Sequence, residues 1–383
     1  MIVLKKLYDI VSLFLFSAVL AVCMVLPYNI TVLVKEVLVI CYQSIIPSLF
    51  PFMFLSQLLS RSGIAHNAGK RISFITAPIF GISKNLSGAF LIGIFGGIPN
   101  GAHAVGIMYS KGLCTKQHAE RCIALSNNCS IPFLISIAGI QVLGSIKNGI
   151  VLIVSQLISI FITGLIIRFT FPSDEKIVCD SNKKTHHQTS GISSVICKSI
   201  TESCLSIINV CGFITVFYII SGLISDFFRL NSPYSALIAG SFEMSSGILL
   251  VNTVPFPLSF IICSMIIGFT GISAIFQVTE AAGKYGLSAY QFVFGKIINS
   301  VIMPLTTTVL LLVLPGNTVS AFTHIIHPQY ETQINVKSVA LLYALVCTVV
   351  IMLLSAIYIA TVCFDKKIRY HKKKDELMQK NII

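Results

Sequence analysis

The chain has 383 residues, 55% of them hydrophobic and 11% charged, with a mean hydropathy of +0.88. Soluble domains carry about 25% charged residues, so a water-exposed globule of this size is excluded and lipid must cover much of the surface. The formal net charge of +13 collects in loops and a tail rather than along an amphipathic face, which is not the footprint of a nucleic-acid binder.

Lys5 and Lys6 precede an apolar run, residues 10–26. No small-x-small cleavage site ends the run, and Leu20-Ala21-Val22-Cys23 lacks the small residue that a lipoprotein site places before its Cys. It reads as an uncleaved first span. A second long apolar segment, 31–60, is interrupted by Ile46-Pro47-Ser48-Leu49-Phe50-Pro51, where the two prolines should break or kink a helix. A short soluble-looking stretch follows at 61–71.

Next come two apolar arms, 86–95 and 102–109, joined by Gly96-Gly97-Ile98-Pro99-Asn100-Gly101. Ten helical residues reach only about 15 Å, half a bilayer, so the expected form is a re-entrant hairpin with its tip near the midplane. The following helix should be broken at Ser126-Asn127-Asn128-Cys129-Ser130-Ile131-Pro132. A clear span, 149–171, leads into the most polar internal segment, 172–194, which divides the chain into halves.

The second half opens with a long apolar segment, 206–228. Arms 257–270 and 273–282 flank Gly271, predicting a second hairpin, and Asn299-Ser300-Val301-Ile302-Met303-Pro304 predicts a second broken helix. A loop without Lys or Arg, 315–336, precedes a last span, 339–364, and a tail rich in Lys and Arg. Aligned at a constant offset, 97–126 and 271–300 share seven identities in thirty positions, including the pairs Gly112/Gly286, Leu113/Leu287 and Gln117/Gln291. Ser44-Ile45-Ile46 and Ser206-Ile207-Ile208 open corresponding helices. The expected fold is all-α: a polytopic transmembrane helical bundle with two structural repeats, re-entrant hairpins and broken helices. Its divisions are 1–30, a first span; 31–148, repeat 1; 149–200, a connecting span and polar loop; 201–314, repeat 2; and 315–383, an outer loop, last span and basic cytoplasmic tail.

Irregular backbone at membrane depth is tolerated only where protein buries it or where it lines a wet cavity. Paired breaks in two related halves point to a transporter's binding site. Half-helix ends present N–H groups and carbonyls that can meet an anion and a cation. The expected solute- or ion-binding residues are therefore Gly96, Gly97, Pro99, Asn100, Gly101, Asn127, Asn128, Glu243, Gly271, Ser273, Gln277 and Asn299. Gly and Pro are also simply frequent in membrane helices, where they pack closely. Glu243, an expensive intramembrane carboxylate, either binds a coupling ion or caps a neighbouring helix at the interface. Lys296 either pairs an anionic solute or snorkels to the surface. Glu280 and Lys284 stand at helical spacing for a local ion pair. The twelve cysteines include no CxxC pair, and no hydrolase, metalloprotease or P-loop motif occurs, so neither catalysis nor a cofactor is expected.

The motifs Ile46-Pro47-Ser48-Leu49-Phe50-Pro51-Phe52, Gly97-Ile98-Pro99-Asn100-Gly101-Ala102, Ser126-Asn127-Asn128, Phe242-Glu243-Met244-Ser245-Ser246-Gly247 and Gly268-Phe269-Thr270-Gly271-Ile272-Ser273 appear in order. Together they resemble the YlbJ family of sporulation integral membrane proteins, which carry nucleoside-recognition (Gate) domains and are distantly similar to concentrative nucleoside transporters. The chain departs from the family at Ile98 and Asn100, where an aromatic residue and Met are commoner, and at Cys129. The resemblance implies Gate-like repeats and a protein made in the mother cell of an endospore-forming bacterium. It further implies a place in the membrane around the forespore and a role in moving dipicolinic acid.

The expected partners are a small anionic solute and the lipid bilayer, with no nucleic acid; a coupling ion, Na+ or H+, and a homo-oligomer fit the same reading. A non-transporting membrane scaffold of sporulation and a nucleoside-type transporter are the alternatives. Basic residues place the N-terminus, 61–71, 172–194 and the tail on the cytoplasmic side. Counting one long helix, one hairpin and one broken helix per repeat, with three unpaired spans, gives seven crossings, which would put the termini on opposite faces. Either a short stretch such as 72–82 or 235–250 also crosses, or a terminus is misassigned.

Overall fold

The computed structural model describes residues 27–62, 64–172, 192–228 and 231–313. The expected spans 10–26 and 339–364, most of the polar segment 172–194, the loop 315–336 and the basic tail lie outside the described residues. Helix is the only regular structure among the described residues, and six segments are long and apolar enough to cross a membrane.

Helix α1 (Pro27–Ile40) passes through one wide π turn, Cys41–Ile45, into α2 (Ile46–Ser62). The break expected at Pro47 and Pro51 is therefore a local widening. The π turn covers the residues just before Pro47, where its ring would strike the carbonyl of Gln43 in a normal helix. Ser48 Oγ donates to the carbonyl of Ile45 at 3.1 Å, occupying an acceptor in the distorted turn. The stretch 61–71, expected as a loop, is largely helical. It joins α2 to α3 (Ile64–Phe80), an amphipathic helix carrying Lys70 and Arg71 that is not among the six membrane-length segments.

Helices α4 (Ser87–Gly96) and α5 (Asn100–Ser110) fold back on each other as the sequence predicts. Helix α6 (Lys116–Ser126) then stops, and residues 127–130 run extended. A helical turn, Ile131–Phe133, resumes the path and widens into π geometry over Leu134–Val142; the two together form α7. Helix α8 (Ile146–Thr170) follows, and after it the 37-residue α9 (Ile192–Phe228).

The second half departs from expectation. Helices α10 (Ser232–Phe242) and α11 (Met244–Leu250) form the second hairpin, with Glu243 at its tip and Gly247 seated against the backbone of Gly240. Helices α12 (Leu258–Phe269) and α13 (Gly271–Gly283), expected to be hairpin arms, make no extended contact with each other. Together they form one apolar segment of 26 residues, interrupted at Thr270, which adopts left-handed backbone. The predicted second broken helix is continuous: α14 (Tyr290–Val313) runs through Asn299 and carries Pro304 within it.

One order of elements thus occurs twice: hairpin, interrupted helix, long helix. Helices α4–α5, α6/α7 and α8 correspond to α10–α11, α12/α13 and α14. This register matches Asn127 with Thr270 and Ile146 with Tyr290, and differs from the one that gave the thirty-residue alignment. Two identities of that alignment, Gly112/Gly286 and Leu113/Leu287, fall on a shared helix ending. Leu113 N donates to Met108 O and Leu287 N to Ala282 O, at 3.2 and 3.1 Å, and Gly112 and Gly286 have φ of 69° and 70°. Both are glycine C-caps of the Schellman type.

Polar residues share the interior with an apolar core, while large apolar side chains cover the outside. On α8 the buried face carries Ser155, Gln156, Ser159 and Thr163, while Ile150, Leu157, Ile158 and Phe161 point outward. The polar residues recur at helical spacing, so one helix offers hydrogen bonds inward and hydrocarbon to lipid. Helix α14 packs against both α8 and α12, and places its own Asn299 and Thr307 inside.

Candidate functional site

Four of the places where the backbone leaves helical form converge. Gly97, at the first hairpin tip, has φ +71°, and a Cβ added to it would lie 3.0 Å from Ser130 Cβ in the α6/α7 interruption. Gly271, at the α12/α13 interruption, has φ +82°, and a Cβ there would lie 3.0 Å from the carbonyl of Phe242 and 3.1 Å from Glu243 Cα at the second tip. Each hairpin tip therefore abuts the interruption of the helix that follows it. Positive φ combined with backbone this close requires glycine at both positions.

Between these four features lies a cavity of about 60 Å³. Its polar wall comes from Asn128 and Ser130 on one side and from Glu243, Ser245, Thr270 and Gln277 on the other. Glu243 is 5% exposed. It is the N-cap of α11, where Oε2 accepts from Ser246 N at 2.8 Å, and Ser246 Oγ donates to the Glu243 carbonyl at 3.0 Å. Among the described residues no Lys, Arg or His forms an ion pair with it. Glu243 thus caps its own helix rather than a neighbouring one, and it is buried against the cavity.

Lys296 is buried in α14, and of its two readings the structure excludes snorkelling. Its Nζ donates to Asn128 Oδ1 at 2.8 Å and lies 5.5 Å from the centre of the Phe292 ring. Asn128 in turn donates through Nδ2 to Leu125 O at 2.6 Å, so one amide ties the cation to the end of α6. The two long helices support the interruptions in matching ways. Gln156 on α8 donates to Cys129 O at 2.9 Å, and Asn299 on α14 donates to Gly268 O at 3.3 Å. Asn299 Oδ1 accepts from the hydroxyls of Ser159 and Thr163. Unpaired carbonyls at a helix break are costly in an apolar medium, and these two amides occupy them.

The chain is an integral, multi-pass membrane protein. Over 294 residues it is 23% identical to the sporulation integral membrane protein YlbJ of Bacillus subtilis (strain 168), an alignment covering 68% of this chain and 72% of that protein. The resemblance to the YlbJ family holds. No protein-family model matches the chain, and no solved structure does.

Of the residues expected at a binding site, Gly96, Gly97, Asn128, Glu243, Ser273 and Gln277 line the cavity. The other six do not. Pro99 begins α5, and its carbonyl accepts from Ala102 N at 3.0 Å. Asn100 turns to the opposite side of the tip, donating to Gly96 O at 2.8 Å. Gly101 lets α5 approach Ser126. Asn127 accepts from Ala102 N at 3.0 Å and donates to Ile123 O at 2.7 Å, clamping the interruption to the hairpin. Gly271 provides backbone fit and Asn299 supports from behind.

Sequence reasoning missed Ser130, Thr270 and Ser245, each of which stands within three residues of a predicted one. It also missed the apolar wall from Leu49, Met53, Phe133 and Val210, since such residues look like any others in a membrane helix. Liquid water occupies about 30 Å³ per molecule, so the cavity holds about two waters or a small cation. Its carboxylate, hydroxyl and amide oxygens are the donor set a hard cation or a proton would use.

Proposed function

We propose that this chain is a secondary permease for a small anionic solute, acting in a membrane of the sporulating cell. The observation that carries this reading is the convergence of two hairpin tips and two helix interruptions on one cavity with a polar wall. Discontinuous helices meeting at the interface of two repeats are the way many transporters hold a solute and its coupling ion. The positive-inside rule puts the Lys111–Lys116 turn and Lys284 on the cytoplasmic side, so the α4–α5 hairpin enters from the cytoplasm. The α10–α11 hairpin then enters from the opposite side, and the recurrence is inverted.

The name of its relative is the ground for the sporulation setting, and the family resemblance makes dipicolinate the first solute to test and the outer forespore membrane the first place to look. Glu243 is the proposed site of coupling to Na+ or H+. The reading involves no catalysis and no cofactor. Proteoliposomes containing the purified chain should accumulate dipicolinate under a sodium or proton gradient. Glu243→Gln keeps the acceptor that caps α11, so it should insert normally while uptake falls at least tenfold. Absence of flux for dipicolinate and nucleosides under either gradient would remove the permease reading in favour of a membrane scaffold. Flux of nucleosides alone would make it a nucleoside-type transporter.

A further inference from the structure

A second, larger chamber lies on the other side of the first hairpin tip. We infer that it is the binding site for a small carboxylate anion, an inference that rests on the permease reading and places its solute. The chamber holds about 350 Å³, against about 60 Å³ for the cavity at Glu243. Pockets that enclose small organic ligands run from about 300 to 1,000 Å³. A carboxylate solute of several heavy atoms has more room in the chamber than in the cavity.

The chamber wall is rich in donors. Ser56, Gln57 and Arg61 come from α2, His103 from α5, and Lys284 and Tyr285 from the end of α13. The acidic residue in the wall is Glu202 of α9, which forms an ion pair with Arg61 Nη2. Lys284 pairs with Glu280 at 2.8 Å at the exposed rim. Two buried donors of this wall, Ser56 Oγ and Arg61 Nε, have no hydrogen-bond partner among the described residues. Ser56 is 4% exposed. A buried donor with no acceptor costs free energy, most of all on a charged group. A carboxylate in the chamber would supply an acceptor beside these donors, and the guanidinium presents the planar fork that carboxylates match.

The chamber also adjoins the cavity through one side chain. Asn100 lines the chamber, its Oδ1 accepts from Gln57 Nε2 at 3.5 Å, and its Nδ2 donates to the carbonyl of Gly96, which lines the cavity. An anion on Arg61 would thus wait beside the hairpin tip, in series with the site at Glu243.

The test is direct binding of pyridine-2,6-dicarboxylate to the full-length chain in detergent, by titration calorimetry, with its uncharged diamide as control. The dicarboxylate should bind at least tenfold more tightly than the diamide. Arg61→Gln and Ser56→Ala should each weaken it about tenfold, the scale of one lost charge-assisted hydrogen bond. Ser56→Ala removes a single oxygen and keeps the fold, and Glu202→Gln should bind no more weakly than the parent because it removes a competitor for Arg61. No binding by the parent chain, equal affinity for the diamide, or affinity indifferent to Ser56→Ala with Arg61→Gln folded would each overturn the inference. Uptake that is insensitive to these variants would leave the permease standing without this site. Arg61-dependent binding without any flux would leave the site standing without the permease.

Discussion

Asn128 and Lys296 show how much rests on single side chains at this depth. The ammonium is removed from water, and in place of an acidic partner its bond runs to the Asn128 amide oxygen. Cutting one side of such a contact costs more than removing both, because the surviving group stays desolvated. Asn128→Ala should therefore destabilise the detergent-solubilised protein by roughly 2–3 kcal/mol, read as a fall in melting temperature. Adding Lys296→Met to Asn128→Ala should recover most of that loss, since the orphaned charge goes with it. A double variant no more stable than Asn128→Ala would show that Lys296 finds another acceptor. Glu243 differs in kind: its carboxylate is held by the N-terminus of its own short helix, which leaves the residue's remaining oxygen capacity free for the cavity.

At the scale of elements, the two long helices act as props for the two interruptions. Gln156 and Asn299 each supply one amide N–H to a carbonyl that its own helix cannot satisfy. Gln156→Leu and Asn299→Leu, which replace the amide by an apolar group of similar size, should each cost about 1–3 kcal/mol in thermal melting. Asn299→Leu should cost more, because it also strands the hydroxyls of Ser159 and Thr163. Equal melting temperatures for both variants and the parent would mean that water reaches these carbonyls. The same contrast explains what the sequence could tell. The first hairpin and first broken helix were legible because Gly96-Gly97-Ile98-Pro99 and Asn127-Asn128 put strong local punctuation there. The second hairpin was not, because its tip is Phe242-Glu243-Met244, with no Gly or Pro, and its reversal depends on a carboxylate cap and on the close Gly240–Gly247 crossing. Asn299 and Pro304 looked like a break, yet the Asn side chain bonds sideways to α12, and Pro304 removes one N–H that a long packed helix can spare. Only half of the residues predicted for the site line the cavity for a related reason: residues at a break are visible in sequence, and which way each side chain turns is not.

Across the whole molecule these corrections change the count of crossings that the sequence suggests. Counting residues 258–283 as a hairpin gave seven crossings and termini on opposite faces, against the basic residues at both ends. The structure makes Leu258–Gly283 one of six membrane-length segments, while the α10–α11 hairpin and the amphipathic α3 are not among them. If the two further spans expected from sequence, 10–26 and 339–364, also cross, the total would be eight, and both termini would face the cytoplasm. The charge rule and the helix count would then agree without moving any basic segment. The prediction is specific at the points where the two schemes part. Reporter fusions truncated after Gly112 and after Gly286 should report cytoplasm, and those after Gly144 and after Thr253 the opposite side. The pair at Thr253 and Gly286 discriminates, because a hairpin over 258–283 would return both to one face. Alkaline phosphatase activity at Thr253 with fluorescence of a fused green fluorescent protein at Gly286 is the expected pattern. The same side at both positions would restore the odd count and undo the inverted arrangement on which the permease reading draws.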